Sequence, residues 1–323
     1  MIISRTPFRV SFAGGGSDLR EFYSQHGHGA VVSTAIQQYM YVVIHPYFHD
    51  KIRIKYSKTE DVENVEDIKH PLVRECLKKV GIDKGIEIAS FADIASGTGL
   101  GSSSAFTVGL LNALYAYNGK IISKADLAEQ ACEIEIDILK EPIGKQDQYA
   151  AAFGNINIIR FNRDESVNVI PVLLTENNKA KIEKTILLYY VGGQRRACDI
   201  LREQQKNIIS NNEKFEYLKG MFNQVEKCKD LIVDGQIKPL GALLHHGWKS
   251  KKKLASNISN SMIDQLYSDA KMHGSMGGKL LGAGGAGFLL LVHDDHDKLS
   301  QKMSCMTLPL KIDQEGSKII FYE

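Results

Sequence analysis

The segment from Ser102 to Tyr117 constrains the fold most, because it is apolar on most faces of a helix. This stretch, "SSSAFTVGLLNALYAY", opens with serines that suit an N-cap, and Gly119 suits the end of a helix. A helix that lacks a polar face has to be covered on all sides. The sequence therefore predicts a buried helix, and 323 residues with 43% hydrophobic content can form the core around it, over roughly two domains.

The rest of the chain changes character near Lys184. Before it, "FRVSF" and "KIRIKYS" alternate apolar and polar residues, and "YMYVVIHPYF" is rich in β-branched and aromatic residues, so these segments are predicted strands. After "TILLYYVGG" the pattern becomes one of longer charged helices, such as "ACDILREQQKNIIS". The sequence predicts mixed α and β structure with a soft boundary between two halves.

Charge and cysteine content limit the partners. Lysine and arginine total 40 against 38 acidic residues, and this net charge of +2 favours neither nucleic acid nor membrane as a partner. The five cysteines form no C-x-x-C pair, which is typical of reduced thiols and does not support a zinc site. The N-terminus lacks a secretory pattern and no apolar run is long enough to span a bilayer. We therefore expect a cytoplasmic enzyme or binding protein; the sequence leaves its oligomeric state open.

A glycine-rich and serine-rich loop, "ASGTGLGSSSAF", precedes the buried helix at residues 95–106. No lysine follows its glycines, so it is not a Walker P-loop. A strand, a glycine turn and a helix start direct free backbone N–H groups at an anion, although a tight turn with an N-cap has the same pattern. Two further glycine-rich segments, "RTPFRVSFAGGGSD" and "GGKLLGAGGAGFLLLV", favour the phosphate-binding interpretation.

Acidic residues cluster in the segment "EIEIDILKEPIGKQDQYAAAFG". If a regular helix runs through Ile138, Glu133 and Asp137 share one face at i,i+4 spacing, while Glu135 points elsewhere. Most such charges belong to solvated helix faces. The residue pattern alone leaves open which face meets the glycine loop.

With these motifs the chain resembles the GHMP kinases, the superfamily of galactokinase, homoserine kinase, mevalonate kinase and phosphomevalonate kinase. The first family motif, R-V-x-x-x-G-x-x-x-D, is met by Arg9, Val10, Gly14 and Asp18. The second, P-x-G-x-G-L-G-S-S-A, is met from Gly97 to Ser103. The third is met by "LLGAGGAGF". The three motifs occur in the family order and span nearly the whole chain.

The resemblance implies an α+β fold, a two-domain α/β sandwich. Residues 1–183 are expected to form the N-terminal ATP-binding domain, with a mixed sheet and the left-handed β-α-β unit of this superfamily. Residues 184–323 are expected to form a ferredoxin-like C-terminal domain. ATP and the acceptor sugar would meet in the cleft between the two domains.

The resemblance also implies ATP and Mg²⁺ as cofactors and assigns residue roles. The residues expected to hold the ATP phosphates are Gly97, Thr98, Gly99, Leu100, Gly101, Ser102, Ser103 and Ser104. Galactokinases place a magnesium-binding glutamate twelve residues before the catalytic aspartate, and 147 − 12 = 135, so Ser103 and Glu135 are the expected Mg²⁺ ligands. Asp147 is the expected catalytic residue that orients or deprotonates the acceptor hydroxyl, with Arg9 stabilising the charge.

For the acceptor, the resemblance is greatest to D-glycero-D-manno-heptose 7-phosphate kinases, which phosphorylate the C1 hydroxyl. The predicted substrate-binding residues are Gly15, Gly16, Ser17, Asp18, Arg195, Arg196, Gly284 and Gly285. Among them the two arginines are expected to hold the phosphate that the sugar already carries. A second candidate for that role is the lysine run, with Lys249, Lys252 and Lys253. The alternatives are an L-fucokinase or another GHMP sugar kinase, a catalytically silent ATP and sugar sensor, and a decarboxylase of the mevalonate branch.

Overall fold

The computed structural model describes residues 1–193 and 198–323, which form two β-sheets with helices packed against them. The first sheet has eight strands: β1 (Ile2–Ala13), β2 (His28–Pro46), β3 (Ile52–Lys55), β4 (Thr59–Val62), β5 (Ile86–Ala92), β6 (Ile156–Asn162), β7 (Val167–Pro171) and β12 (Lys318–Tyr322). The second has four: β8 (Ile186–Tyr190), β9 (Gly277–Leu280), β10 (Phe288–Val292) and β11 (Thr307–Pro309).

The first sheet is mixed. Its order is β12-β1-β2-β5-β3-β4, and β6 pairs with the first half of β2 and carries β7 on its other side. Only β3 and β5 run parallel, and α2 lies between them in the chain, so they form a β-α-β unit. The second sheet, in the order β11-β8-β10-β9, is antiparallel throughout. The predicted α+β fold with a mixed N-terminal sheet is confirmed.

Twelve α-helices cover the sheets. Their bounds are α1 (Arg20–His26), α2 (Pro71–Val80), α3 (Ser102–Tyr117), α4 (Lys124–Cys132), α5 (Gln146–Phe153), α6 (Glu176–Thr185), α7 (Cys198–Ser210), α8 (Asn212–Phe222), α9 (Val225–Val233), α10 (Ile237–Lys251), α11 (Ser261–Met272) and α12 (His296–Met303) in the described part of the chain. A 3₁₀ turn spans Val65–Asp67, and a π-helical segment spans Glu133–Ile138. Across the two described ranges, no helix combines the length and apolar character needed to cross a membrane.

The chain does not divide cleanly in sequence. The predicted boundary between residues 183 and 184 falls inside α6, shortly before β8, which is the first strand of the second sheet. The last strand, β12, returns to the first sheet and pairs with β1, where Tyr322 lies opposite Ile2. The division into residues 1–183 and 184–323 stays a prediction.

Helix α3 is the centre of the core, as its sequence predicts. Nearly every residue from Ser104 to Leu114 is buried, and the helix packs between strands β1 and β2 and helices α2 and α5. Gly109 permits the close approach to β1, because a Cβ atom there would lie 2.8 Å from Thr6 Oγ1. The helix start is thereby held in one position relative to β1, which carries part of the site.

Removing a side chain from this helix tests its importance for stability. Leu111 is fully buried, so Leu111→Ala is expected to lower the free energy of unfolding by about 2 to 5 kcal/mol through lost transfer energy and a cavity. Ile121→Ala removes a similar side chain from a fully exposed position and is the matched control. Urea unfolding of both variants measures the difference. Equal midpoints for the two would contradict the central role of α3.

Candidate active site

A cleft of about 1040 Å³ lies between the loops that follow the strands of the two sheets. Its walls come from both halves of the chain. The lining includes parts of the loop from Gly97 to Ser104 and of the segment from Gly15 to Asp18, and the C-terminal half contributes Gly282 and Ala283. All three glycine-rich segments of the sequence therefore contribute to one cavity.

The glycine-rich and serine-rich loop joins β5 to α3. Gly97, Gly99 and Gly101 all adopt positive φ, between 76° and 84°, a region that favours glycine. Gly101 is also the N-cap residue of α3, so no side chain caps the first turn of this 16-residue helix. Its N–H groups and the positive end of the helix dipole are directed at the cleft, as an anion site requires.

Arg9 and Asp147 form a bidentate ion pair beside this loop. Arg9 Nε donates to Asp147 Oδ1 and Arg9 Nη2 to Oδ2, both at 2.7 Å. Arg9 Nη1 also donates to the carbonyl oxygen of Gly99 at 2.6 Å. A Cβ atom on Gly101 would lie 3.1 Å from Asp147 Oδ2, so the carboxylate is packed directly against the loop. The arginine is buried and the carboxylate is largely covered, which fixes both orientations.

Glu135 lines the cleft from a segment in which the helix locally changes type. Residues Glu133–Ile138 form a π-helical segment after α4, and such segments rotate the following side chains relative to a regular α-helix. Glu135 is fully buried, while Glu133 and Asp137 pair on the outer surface with Lys79 and Arg20. The i,i+4 spacing placed Glu133 and Asp137 on one face, as in the structure. It did not indicate that Glu135 faces the cleft.

The Glu135 carboxylate accepts hydrogen bonds from two elements. Ser103 Oγ donates to its Oε1 at 3.2 Å, and Gln148 Nε2 donates to its Oε2 at 2.6 Å. Burial raises the pKa of Glu135 to about 7, and the negative charge of Asp147 adds to the increase. Of the three adjacent serines, Ser103 donates directly to this carboxylate.

Asp18 lines the cleft next to the segment that contains Asp147. Its Oδ1 accepts from the backbone N–H of Gly16 at 2.9 Å, and its Oδ2 accepts from that of Gln146 at 3.4 Å. Burial and then the charge of Asp147 raise the pKa of Asp18. Only glycine fits at Gly144, since a Cβ there would lie 2.0 Å from Asp18 Oδ2. The carboxylates of Asp18 and Asp147 thus line one cavity and influence each other electrostatically.

Several predicted residues lie away from the cavity. Ser17 is fully buried, and its hydroxyl donates to the carbonyl oxygen of Ala30 and accepts from the N–H of Ala30, so it holds the loop to β2. Gly284 and Gly285 pack on Ile258 and do not line the cleft. In this structure the Ser17 hydroxyl and the Gly285 N–H are used within the fold, and the assignment of substrate contacts to Ser17, Gly284 and Gly285 stays a prediction.

Within the loop from Gly97 to Ser104, Thr98 and Leu100 are buried, and the Thr98 hydroxyl donates to the carbonyl oxygen of Ala95. The side chains of these two residues are therefore turned inward, whereas Ser103 is exposed. Arg195 and Arg196 lie outside the described residues.

Sequence reasoning missed two buried lysines that line the cleft. Lys251 ends α10, and Lys279 lies in β9. A signal existed for each. Lys251 continues the apolar stripe of Leu244 and Trp248 at spacings of four and three residues, and Lys279 interrupts a buried strand.

Comparison with known proteins identifies the class. Residues 68–155 match the family model for the GHMP kinases N terminal domain. The chain is 28% identical over 312 residues to the D-glycero-alpha-D-manno-heptose 7-phosphate kinase of Campylobacter jejuni, covering 92% of this chain and 91% of that protein. It is 26% identical to the L-fucokinase/L-fucose-1-P guanylyltransferase of Bacteroides fragilis, but spans only 35% of that protein's length.

Solved structures show the same fold. A D-glycero-D-manno-heptose 1-phosphate kinase from Bacteroides thetaiotaomicron superposes with a TM-score of 0.82 at 22% identity, with full coverage of both chains. The galactokinase of Lactococcus lactis superposes with a TM-score of 0.74 at 19% identity, covering 98% of this chain and 94% of that one. The fold and the family match define a phosphotransferase with an alcohol group as acceptor. Residues 68–155 thus match the N-terminal domain of the GHMP kinases, and GHMP kinases use ATP, typically with Mg²⁺.

The buried Glu135 makes the stability of the metal-free protein depend on pH. Its pKa in the folded state is about 7 against an ordinary 4.5, so the unfolded chain releases its proton first. Stability therefore falls as pH rises from about 4.5 to about 7, by about 2 to 4 kcal/mol. Glu135→Gln should remove this fall. Urea unfolding in EDTA at about pH 5 and about pH 8 compares it with wild type.

Glu133→Gln is the matched control, because it removes a carboxylate from the outer face of the same segment. Parallel pH dependences for wild type and Glu135→Gln would contradict the burial cost assigned to this carboxyl group.

Proposed function

We propose that this protein is an Mg²⁺-dependent and ATP-dependent sugar 1-kinase that phosphorylates the anomeric hydroxyl of D-glycero-D-manno-heptose 7-phosphate to the 1,7-bisphosphate, for the synthesis of nucleotide-activated heptose. The observation that carries the proposal is the Arg9–Asp147 ion pair, which lines the same cleft as the glycine-rich loop before α3 and the Asp18 carboxylate. The Campylobacter jejuni relative, matched over nine-tenths of both chains, supports the substrate.

The nucleotide would lie with its triphosphate on the loop from Gly97 to Ser104. Free N–H groups at the start of α3 suit phosphate oxygens. Ser103 Oγ and the Glu135 carboxylate are within hydrogen-bonding distance of each other, so two hard oxygen ligands converge beside the loop and fit Mg²⁺. Bound there, the ion would neutralise charge on the phosphates.

Asp147 would act on the acceptor hydroxyl. Phosphoryl transfer requires the hydroxyl in line with the γ-phosphorus, and Asp147 would orient it and take its proton as the new oxygen–phosphorus bond forms and the bond to ADP breaks. Arg9 holds both carboxylate oxygens, which fixes the direction of this group, and its bond to Gly99 ties it to the loop. Asp18, with Gly15 and Gly16 beside it, would hydrogen-bond a sugar hydroxyl.

A panel of acceptors tests the substrate. ADP release in a coupled assay is expected with D-glycero-D-manno-heptose 7-phosphate. L-Fucose is the principal rival, because the Bacteroides fragilis relative contains an L-fucokinase. Turnover of L-fucose or another unphosphorylated sugar, with none of the heptose phosphate, rejects the assignment. ATP binding without any turnover would favour the sensor.

Asp147→Ala tests the catalytic assignment. It is expected to lower kcat by a factor of about 10² or more, because the hydroxyl loses its orienting group and proton acceptor. The affinity for ATP, measured by calorimetry, is expected to stay within about threefold of wild type, since the loop N–H groups are unchanged. Near-native turnover of Asp147→Ala would mean that another group takes the proton.

Substitutions of two adjacent serines distinguish binding of Mg²⁺ from a general contribution of the glycine-rich loop. Ser103→Ala removes an expected Mg²⁺ ligand and should raise the Mg²⁺ concentration required for half-maximal activity about tenfold or more. Ser102→Ala removes the same atoms one position earlier, where no hydrogen bond to Glu135 is formed. Initial rates over a magnesium titration measure both. An equal shift in the two variants would refute the assignment of Ser103.

A further inference from the structure

Two lysines are buried at the cleft without an acidic partner. Only 9% of Lys251 and 6% of Lys279 is exposed. Among residues 1–193 and 198–323, neither ammonium group has a carboxylate within 4 Å, although 21 other ion pairs lie within that distance. Lysine is almost never fully buried unless it is paired, because a charge removed from water requires compensation.

The contacts of these ammonium groups leave donors free. Lys279 Nζ donates to the carbonyl oxygen of Phe12 at 3.2 Å. Lys251 Nζ donates to the carbonyl oxygens of Leu280, at 3.4 Å, and Gly282. An ammonium group has three N–H donors, so two on Lys279 and one on Lys251 lack an acceptor in the described part of the chain.

The pKa values of the two lysines are consistent with the lack of a counter-charge among the described residues. Burial lowers the pKa of Lys279 to about 8, and lowers the pKa of Lys251 well below its ordinary value. The positive charges of Lys279 and Arg9 add to the decrease for Lys251, and Asp18 offsets part of it. An anion placed between the two lysines would favour both charged forms.

The lysines line the same cleft as Gly15, Gly16 and Asp18. The charge of Asp18 acts on Lys251, and both lysines also border a small cavity that is lined by Ala13 and Gly14. Ser11 also lines the cleft, and its buried hydroxyl has no hydrogen-bond partner among the described residues. The cleft thus contains polar groups that the described part of the chain does not satisfy.

We propose that Lys251 and Lys279 bind the phosphate group that the acceptor sugar already carries. This inference rests on the proposed function and goes beyond it, because it assigns the residues that distinguish a sugar phosphate from a free sugar. Two ammonium groups match the charge of about −1.5 to −2 on a phosphate monoester, and lysine binds phosphate as a point charge. The γ-phosphate of the nucleotide is the other source of the same chemistry.

Of the lysines chosen from the sequence, Lys249 does not line the cleft, and the other two are engaged elsewhere. Lys252 pairs with Asp264 at 2.9 Å, and Lys253 donates to the hydroxyl of Tyr217 at 3.1 Å. Neither lines the cleft. Because Lys251 is the buried member of the run, it replaces them as the candidate from α10.

A binding experiment separates the two phosphate sources. The protein is first saturated with Mg²⁺ and a non-hydrolysable ATP analogue, which fills the γ-phosphate position, and inorganic phosphate is then added at constant ionic strength. The melting temperature of wild type is expected to rise with phosphate concentration, because a ligand that binds only the native state stabilises it. Lys251→Met and Lys279→Met should lose this rise.

Lys238→Met is the matched control, because Lys238 is exposed on the same helix as Lys251, and it should keep the full response. Methionine retains most of the apolar stem and removes a buried charge, so both cleft variants are expected to fold; Lys279→Gln provides a second variant. If phosphate stabilises wild type and the cleft variants equally, or does not stabilise wild type, the proposal is wrong.

Kinetics with two acceptors complete the test. Each cleft variant is expected to lower kcat/KM for the heptose 7-phosphate about 30-fold or more, with much less effect on the same heptose without its phosphate. Equal losses on both acceptors, or a rise in the Kd for ATP, would assign the lysines to the nucleotide and overturn the inference. Failure of wild type on every sugar phosphate would instead refute the proposed function, which the acceptor panel detects separately.

Discussion

Arg9 and Asp147 connect three parts of the molecule that are far apart in sequence. Arg9 extends from β1, Asp147 lies in the first turn of α5, and the Gly99 carbonyl that also contacts Arg9 belongs to the loop before α3. A bidentate arginine–carboxylate pair requires both planes to align, so it fixes the loop relative to the carboxylate. The nucleotide side of the cleft and the residue proposed to act on the acceptor are therefore positioned by the same side chain.

The glycine-rich loops can meet only because side chains are absent. A Cβ atom on Gly99 would lie 2.7 Å from the carbonyl oxygen of Leu281, and one on Gly287 would lie 2.1 Å from that of Thr98. The loop before α3 and the loop after β9 thus pack backbone against backbone. This contact joins the two sheets at the cleft and keeps the N–H groups of the loop available for a ligand.

Several residues that line the cleft lower the stability of the ligand-free protein, because their ionisable groups are buried. Glu135 and Asp18 are buried carboxyl groups with raised pKa values, and Lys251 and Lys279 are buried amines with lowered ones. Each shift shows that the cavity disfavours the charged form of the group. Acids and bases arranged around one cleft at such a cost are typical of a site whose ligands supply the missing counter-charges.

The sequence by itself determined the buried helix α3, the three glycine-rich loops and the resemblance to the GHMP kinases, because local spacing and glycine content encode helices and turns directly. Only the tertiary structure decided which charged groups face the cleft. Glu135 is buried in a π-helical segment, and packing of α10 buried Lys251 while its neighbour Lys252 stayed outside. These outcomes depend on contacts between distant residues, such as Lys279 with Phe12 across 267 positions, which no local pattern encodes.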